Sequence, residues 1–367
     1  MPTIIFYVSG HGFGHSARIA EVIRCLTERN PDWKIFIRTS APRWFYREHL
    51  SSDFNFHSRQ YDTGVIQADS LNLDPLATLV NYQKFIESRE ELIAGEVDFI
   101  NREKPSLVVG DIPPVAFEIA ARAETPSLAI ANFTWDWIYE AYCRDYPSFR
   151  GLLETIRSGY RRSDLLLRLP FAGEMSAFTD VEDIPLIARQ SSLEPGEIKD
   201  MLKIPDGKPL VILSFGGFSL GEEYYRKLTR IKDCFWLASE RIGFDLPGII
   251  NLRRDDLRRR GLGYPDLMKA ADIVVTKPGY GILSESIANR TRMLYTSRGE
   301  FREYPILVEG VKKYLPSRFI SQEKLKNGTL KKEIEELLND DHGFPSLPLN
   351  GAETCAGIIE KKVSGKR

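Results

Sequence analysis

The sequence predicts an α/β protein with two doubly wound parallel-sheet domains. Apolar strands alternate with amphipathic helices in two successive runs, which is typical of parallel sheets covered by helices on both faces. The 367 residues also exceed what one ordinary hydrophobic core accommodates. We therefore predict a first domain at residues 1–180, a second at 181–350, and a closing segment, 351–367, whose helix returns to the first domain.

Strands are predicted at short apolar runs, and helices at the longer amphipathic segments that alternate with them. The first run has strands at 3–9, 34–38, 106–110, 127–131 and 164–169, with helices at 16–29, 76–102, 114–123 and 135–142. The second has strands at 209–214, 233–238, 272–275 and 292–296, with helices at 222–230, 264–270, 281–289 and 303–314. Residues 170–196 are the predicted linker, and 352–363 the last helix.

Composition excludes several classes of protein. With 43% hydrophobic and 28% charged residues and a formal net charge of −1, the chain has no basic excess to favour a nucleic-acid partner. It contains neither a signal-peptide pattern nor the ~20-residue apolar run of an integral membrane span, so we expect a cytoplasmic protein. The four scattered cysteines favour neither a zinc site nor a disulfide framework, and we expect each to be buried.

The first strand leads into the most informative loop of the chain. Residues 10–15 are Gly-His-Gly-Phe-Gly-His, directly before a predicted helix. Glycines such as Gly12 and Gly14 allow close approach of the backbone to a ligand, and a helix N-terminus attracts anions. The spacing differs from the dinucleotide fingerprint, and no acidic residue ends the next strand. A merely tight turn is the alternative, but the imidazoles of His11 and His15 favour a site.

Asp111 follows another strand of the first run. At the carboxyl end of a parallel strand its carboxylate could orient an imidazole. An Asp before a helix is also a common N-cap, and both interpretations stay open from the residues alone.

Two loops of the second run are suited to a nucleotide diphosphate. Ser214 precedes the pair Gly216 and Gly217, whose backbone could hold phosphate oxygens. A later turn, Lys-Pro-Gly-Tyr-Gly at 277–281, exposes backbone donors, and Glu285 in the next helix could accept two ribose hydroxyls or simply be a solvated helix-start acid. The charged and aromatic residues at 298–304 are suited to binding a sugar.

The aromatic residues at 132–139 follow a strand end and could either line an acceptor pocket or form core packing. Phe13 and Trp44 present the same two alternatives.

These motifs, in this order, resemble the GT-B glycosyltransferases. The second half is similar to the lipid II-forming N-acetylglucosaminyltransferase, and the opening Val-Ser-Gly-His-Gly-Phe-Gly-His-Ser-Ala-Arg is similar to the glycosyltransferase-like amino-terminal half of arabinokinases. The resemblance implies two Rossmann-like domains facing each other across a cleft. It also implies a nucleotide-diphosphate-sugar donor, expected to be a UDP-sugar, bound by the second domain, and an unidentified acceptor bound by the first.

The resemblance also implies roles for individual residues. His15 matches the base that takes the acceptor's proton, with Asp111 steadying it and His11 as the rival base. The positions that match donor contacts are Gly12, Gly14, Ser214, Gly216, Gly217, Lys277, Gly279, Tyr280, Gly281, Glu285, Arg298, Arg302 and Glu303. The lipid II enzyme has a glutamine pair where this chain has Arg302 and Glu303, so the donor sugar does not carry over.

Neither a metal nor another cofactor is expected. No Asp-x-Asp follows a predicted strand, and the resemblance implies metal-independent, inverting transfer in which Lys277, Arg298 and Arg302 offset the charge of the leaving diphosphate. The same fold also hosts nucleotide-sugar 2-epimerases and hydrolases, and a non-catalytic nucleotide-sugar-binding module is the alternative outside enzymes.

Overall fold

The structure is a computed structural model that describes residues 1–67, 73–205, 207–215, 221–238, 242–252, 254–299 and 301–365. The elements up to the end of the first sheet are β1 (Thr3–Val8), α1 (Phe13–Arg29), β2 (Lys34–Thr39), α2 (Arg43–His49), β3 (Asn55–Ser58), α3 (Pro75–Glu103), β4 (Leu107–Asp111), α4 (Pro114–Arg122), β5 (Ser127–Ala131), α5 (Trp135–Asp145), α6 (Arg150–Tyr160), β6 (Leu165–Arg168) and β7 (Val181–Asp183). A short 3-10 helix, Pro147–Phe149, lies between α5 and α6.

The remaining elements are α7 (Pro195–Leu202), β8 (Leu210–Ser214), α8 (Glu222–Leu228), β9 (Phe235–Ala238), β10 (Ile249–Asn251), α9 (Arg254–Arg259), α10 (Tyr264–Ala270), β11 (Ile273–Thr276), α11 (Tyr280–Asn289), β12 (Arg292–Tyr295), α12 (Tyr304–Tyr314), β13 (Ser317–Phe319), α13 (Gln322–Asn327), α14 (Lys331–Leu338) and α15 (Gly351–Ser364).

Within the described residues the strands form two parallel sheets, so the predicted fold class is confirmed. The first has the order β3-β2-β1-β4-β5-β6-β7, and the second the order β10-β9-β8-β11-β12-β13. Each sheet has its earliest strand near the centre, where helices cover both faces. The six residues of β1 are all buried as a result, which matches their unbroken apolar run.

The register within each sheet brings the predicted loops together. Val8, the last residue of β1, pairs with Asp111, the last residue of β4. In the second sheet Thr276 of β11 pairs with Ser214 of β8 in the same way. Open α/β sheets bind ligands at such carboxyl ends, and here the two sets of ends meet across one cleft.

The chain passes between the sheets at two places, and these two crossings run side by side. Ile187 forms an antiparallel bridge with Asn350, and the backbone N–H of Gly351 donates to the carbonyl of Leu186. A Cβ on Gly351 would lie 2.2 Å from the carbonyl oxygen of Pro185, so the close pairing requires glycine. Helix α15 then packs on α1.

Several sequence predictions missed local structure. Helix α1 begins at Phe13 rather than at Ser16, because Gly12 takes a φ of 74° and acts as the N-cap. The predicted linker contains β7, a short and exposed strand without an apolar pattern. The polar strand β3 and helices α6, α13 and α14 were also missed.

Candidate active site in the interdomain cleft

A cleft of about 1800 Å³ separates the carboxyl ends of the two sheets. Its lining includes most of the predicted site residues: His11, Gly12, Gly14, His15, Ser214, Lys277, Gly279, Tyr280, Gly281, Glu285, Arg298 and Glu303. Two predicted residues lie away from this lining: Asp111 is buried behind His15, and Arg302 contacts α5, where it donates to the carbonyl of Trp137 and to Glu140. The predicted Gly216 and Gly217 lie outside the described residues.

His15 and Asp111 form a hydrogen-bonded pair in the first domain. His15 lies in the first turn of α1, and its Nδ1 is 2.8 Å from Oδ1 of Asp111. Asp111 is fully buried at the end of β4, and the N-cap of α4 is Pro113, so the N-cap interpretation of Asp111 is wrong. His15 lines the cleft while remaining 6% exposed.

Asp111 has a second partner that the sequence did not reveal. Arg18, one turn along α1, donates from Nε to Oδ2 over 2.5 Å and from Nη2 to Oδ1. Burial raises the pKa of Asp111, but Arg18 and His15 outweigh burial and hold that pKa below its ordinary value. Asp111 is therefore a carboxylate at neutral pH.

A chain of hydrogen bonds extends from Arg18 to the second domain. Nη1 of Arg18 donates to Oδ1 of Asn132 over 2.8 Å, and Nδ2 of Asn132 donates to Glu303 over 2.5 Å. Glu303 is 2% exposed and lies 3.6 Å from the guanidinium of Arg298. The pair in the first domain is thus connected to the predicted sugar-binding loop of the second.

His11 lies beside this pair but in a different environment. Its ring packs edge-on against Trp135, and a Cβ on Gly64 would lie 2.4 Å from His11 Nδ1. Burial, reinforced by His15, Arg298 and Lys277, lowers the pKa of His11 to about 3. His11 is therefore neutral at physiological pH, and it has no hydrogen-bonded carboxylate comparable to Asp111 among the contacts that the described residues make.

Two glycine-rich turns face each other across the cleft. Gly14 lies in the first turn of α1 and Gly281 in the first turn of α11, and a Cβ on Gly281 would be 3.4 Å from Cα of Gly14. Two helix N-termini therefore converge on one point. Lys277 and Arg298 line the same part of the cleft, so this region is suited to an anion.

Glu285 lies deeper along α11 and already has a partner. Arg189, which was not among the predicted site residues, donates from Nε to Oε1 of Glu285 over 2.5 Å. Arg189 also contacts His49 of α2. Burial raises the pKa of Glu285, and Arg189 opposes that shift. Both contacts from Arg189 use Oε1 of the carboxylate.

The aromatic segment after β5 is divided between two roles. Trp135 and Tyr139 are fully buried in the core, as the packing interpretation predicts. Asn132 and Phe133 line the cleft, and the Phe133 ring lies edge-on to His15 at a centroid distance of 5.7 Å. Phe13 and Trp44 are partly exposed on the cleft wall.

The described part of the chain lacks both a metal-binding cluster and a membrane-spanning helix. Its His, Cys, Asp and Glu side chains form no group that could hold a metal ion. Among the same residues, no helix has both the length and the apolar composition needed to cross a membrane.

No protein-family model matches the chain. In sequence it is 31% identical over 369 residues to L-arabinokinase from Arabidopsis thaliana, in a match that covers 98% of this chain and 34% of that protein. The chain therefore spans about a third of the length of this curated relative.

Solved glycosyltransferase structures share the fold at low sequence identity. The kitacinnamycin glycosyltransferase superposes with a TM-score of 0.67 at 14% identity, covering 99% of this chain and 100% of that one. A UGT from Siraitia grosvenorii in complex with UDP has a TM-score of 0.57 at 13% identity, with 99% and 100% coverage. The chain thus has the GT-B fold of these glycosyltransferases and is related in sequence to one third of an L-arabinokinase.

Proposed function

We propose that the protein transfers a glycosyl group from a nucleotide-diphosphate sugar to an acceptor hydroxyl. The observation that carries this proposal is the buried His15–Asp111 pair, which faces the cleft opposite the turn at Gly279 and Gly281. A base of this kind and an anion site on the opposite wall are the two parts that such a transfer requires.

His15 is the general base in this proposal. A neutral imidazole with its proton on Nδ1 donates to Asp111 and has the Nε2 lone pair free to take the proton of the acceptor hydroxyl. The carboxylate then stabilises the imidazolium that forms. His11 is a poorer candidate because its lowered pKa makes it a weak proton acceptor.

The donor occupies the second-domain side of the cleft. Its diphosphate lies where the N-termini of α1 and α11 converge, and Lys277 with Arg298 offset the charge of the departing nucleoside diphosphate. Glu285 accepts ribose hydroxyls, and Glu303 contacts the donor sugar. Transfer then needs no metal. A UDP-sugar is the expected donor, in keeping with the UDP bound to the UGT from Siraitia grosvenorii.

Incubation with a panel of nucleotide-diphosphate sugars, with and without a set of alcohol and phenol acceptors, tests this function by mass spectrometry. Acceptor-dependent release of the nucleoside diphosphate with a glycosylated product supports it. Fast release of free sugar without acceptor would identify a hydrolase, and interconversion of donor sugars an epimerase. Saturable binding without any turnover would identify a binding module.

A further inference from the structure

Asp111 gives more of its hydrogen-bonding capacity to Arg18 than to His15. Both of its oxygens accept from the guanidinium, and Oδ1 is shared with His15. All three residues are at most 6% exposed. A bidentate arginine pair of this kind is expensive to desolvate, and a base needs only one carboxylate oxygen, so the role of Arg18 calls for an explanation.

The position of Nδ1 limits where the histidine proton can be. Nδ1 lies 2.8 Å from Oδ1 of Asp111 and 3.0 Å from Nη2 of Arg18. A guanidinium only donates, so Asp111 alone can accept a proton carried by Nδ1. An ionised Asp111 does so. A protonated Asp111 would donate to Nδ1 instead and leave the imidazole proton on Nε2, the atom that must be free in a general base.

The environment of Asp111 shows what determines its ionisation. The carboxyl is 0% exposed, and an isolated buried carboxylate avoids the cost of its charge by taking up a proton. Arg18 is the fixed positive charge in contact with it, because a guanidinium stays charged whereas His15 is a base only when neutral.

We propose that Arg18 is a positioning residue that holds Asp111 as a carboxylate and thereby keeps the proton of neutral His15 on Nδ1, leaving Nε2 free toward the cleft. The consequence for catalysis rests on the proposed function, whereas the effect on the protonation of the pair does not.

Arg18 also has neighbours from the second domain. Asn132 accepts from Arg18 and donates to Glu303, so its amide is oriented by a residue of each domain. The guanidinium of Arg18 also lies 5.3 Å from the ring centroid of Tyr280 in α11. Arg18 is therefore bonded to Asp111 and Asn132 within the first domain, and it contacts the second domain through Tyr280 and, by way of Asn132, Glu303.

Other charged groups near His15 do not replace Arg18. Asp62 is buried and accepts from Ser9 Oγ over 3.0 Å and from Trp135 Nε1 over 2.8 Å. His11 is neutral at physiological pH. The charged and titratable groups around the pair include Arg18 from α1, Asp62 from the segment after β3, His11 from the glycine loop, Tyr46 from α2, Tyr280 from α11 and Cys355 from α15, and Glu303 lies near Arg18.

The test measures protonation directly in the full chain near neutral pH. Nitrogen-15 shifts of His15 report which ring nitrogen carries the proton, and the carbon-13 shift of the Asp111 carboxyl reports its ionisation; both signals are assigned from His15→Gln and Asp111→Asn. We expect an ionised Asp111 and an Nδ1 proton in the wild type. In Arg18→Leu we expect a protonated Asp111 and the proton on Nε2, whereas Arg18→Lys, which keeps the charge, retains the wild-type state.

Arg24→Leu is the matched control, since Arg24 lies on the same helix and pairs at the surface with Glu21 and Glu28. An Asp111 that stays ionised in Arg18→Leu overturns the inference. If Arg18→Leu fails to fold, Arg18→Lys decides: a protonated Asp111 in that variant also overturns it. Where transfer is detected, Arg18→Leu is expected to lose ~10²–10⁴-fold in kcat, as for loss of a general base. Altered protonation without any transfer activity in the wild type would contradict the proposed function and leave this inference standing.

Discussion

Among its described residues, the first domain contains two buried arginine–carboxylate clusters, and comparing them shows that burial alone does not identify a functional site. In one, between the sheet and α3, Arg38 pairs with Glu96, which also accepts from Tyr7 and Tyr61. In the other, at the end of β4, Arg18 pairs with Asp111. Both acidic residues are at most 1% exposed, yet of these two clusters the second alone has residues that line the cleft, Arg18 and its neighbour His15.

The difference lies in what completes each set of hydrogen bonds. Glu96 has two tyrosine hydroxyls in addition to Arg38, and the guanidinium of Arg38 stacks 4.1 Å from the Phe99 ring centroid. The groups of that cluster bond to one another, and we call it the closed cluster. Asp111, in contrast, is hydrogen-bonded to Nδ1 of His15. Nε2 of His15 forms no hydrogen bond among the described residues, and it is therefore available to a substrate in the cleft. A buried charge pair thus indicates a functional site only where a side chain bonded to it has a hydrogen-bonding atom available to a ligand in the cleft.

The largest expected effect belongs to His15. His15→Ala removes the proposed base while leaving the donor wall unchanged, so we expect turnover to fall by ~10²–10⁴-fold with little change in nucleotide affinity. Steady-state kinetics together with calorimetry on the free nucleoside diphosphate measures both quantities. Wild-type activity in His15→Ala, combined with loss in His11→Ala, would assign the base to His11 instead.

The second effect concerns stability and belongs to the closed cluster. Glu96→Ala leaves Arg38 buried without its carboxylate, which typically costs about 3–5 kcal/mol of unfolding free energy. Urea denaturation checks this value. Lys34→Ala is the control, because Lys34 forms an exposed pair with Glu103 that should contribute about 1 kcal/mol or less. A Glu96→Ala protein as stable as the control would show that the cluster contributes nothing.

The two clusters also show how far the sequence could predict the site. His15 and Asp111 were predicted because each lies beside a strand end with recognisable residues around it, and the register of β1 and β4 brings them together. The hydrogen bonds that link this pair to Arg18, Asn132 and Glu303 were not predicted, because these residues meet only in the folded chain, although Glu303 itself was predicted as a donor contact. One signal was present: Arg18 lies four residues before the buried Val22, so a charged side chain occupies the apolar face of α1.

The central strands of the first sheet were easier to predict than its edge strands. Central strands such as β1 and β4 are buried on both sides and therefore have continuous apolar runs. Edge strands such as β3 and β7 are largely exposed and carry polar residues, so periodicity does not distinguish them from loops. Arg189 was missed for a similar reason, because the predicted linker around it has no periodic pattern that would reveal its contact with Glu285.

A smaller effect is expected on the donor side of the cleft. Glu285→Ala removes a carboxylate whose Oε2 can accept a ribose hydroxyl while Oε1 keeps Arg189, so we expect nucleotide binding to weaken by roughly 1–3 kcal/mol. Calorimetry with UDP measures the change. Glu309→Ala, an exposed acid on α12, is the control. Unchanged affinity in Glu285→Ala would place the ribose elsewhere in the cleft.

The smallest expected effect is a difference in how the histidines beside the two clusters make stability depend on pH. His11, beside the Asp111 cluster, has a pKa lowered to about 3, chiefly by burial, whereas an unfolded histidine titrates near 6.5. Below pH 6.5 the unfolded chain therefore binds more protons at His11 than the folded chain does. The free energy of unfolding is not reduced by His11 above that pH, and it falls progressively as the pH decreases toward 3. His57, beside the Arg38 cluster, also has a lowered pKa, from burial and then Arg38, but its side chain is largely exposed, and its contribution should be weaker. The urea midpoint should thus decrease less between pH 7 and pH 5 in His11→Gln than in the wild type, whereas His57→Gln should behave like the wild type. An identical decrease in all three proteins would show that His11 is accessible to solvent protons and that the two clusters do not differ in their response to acid.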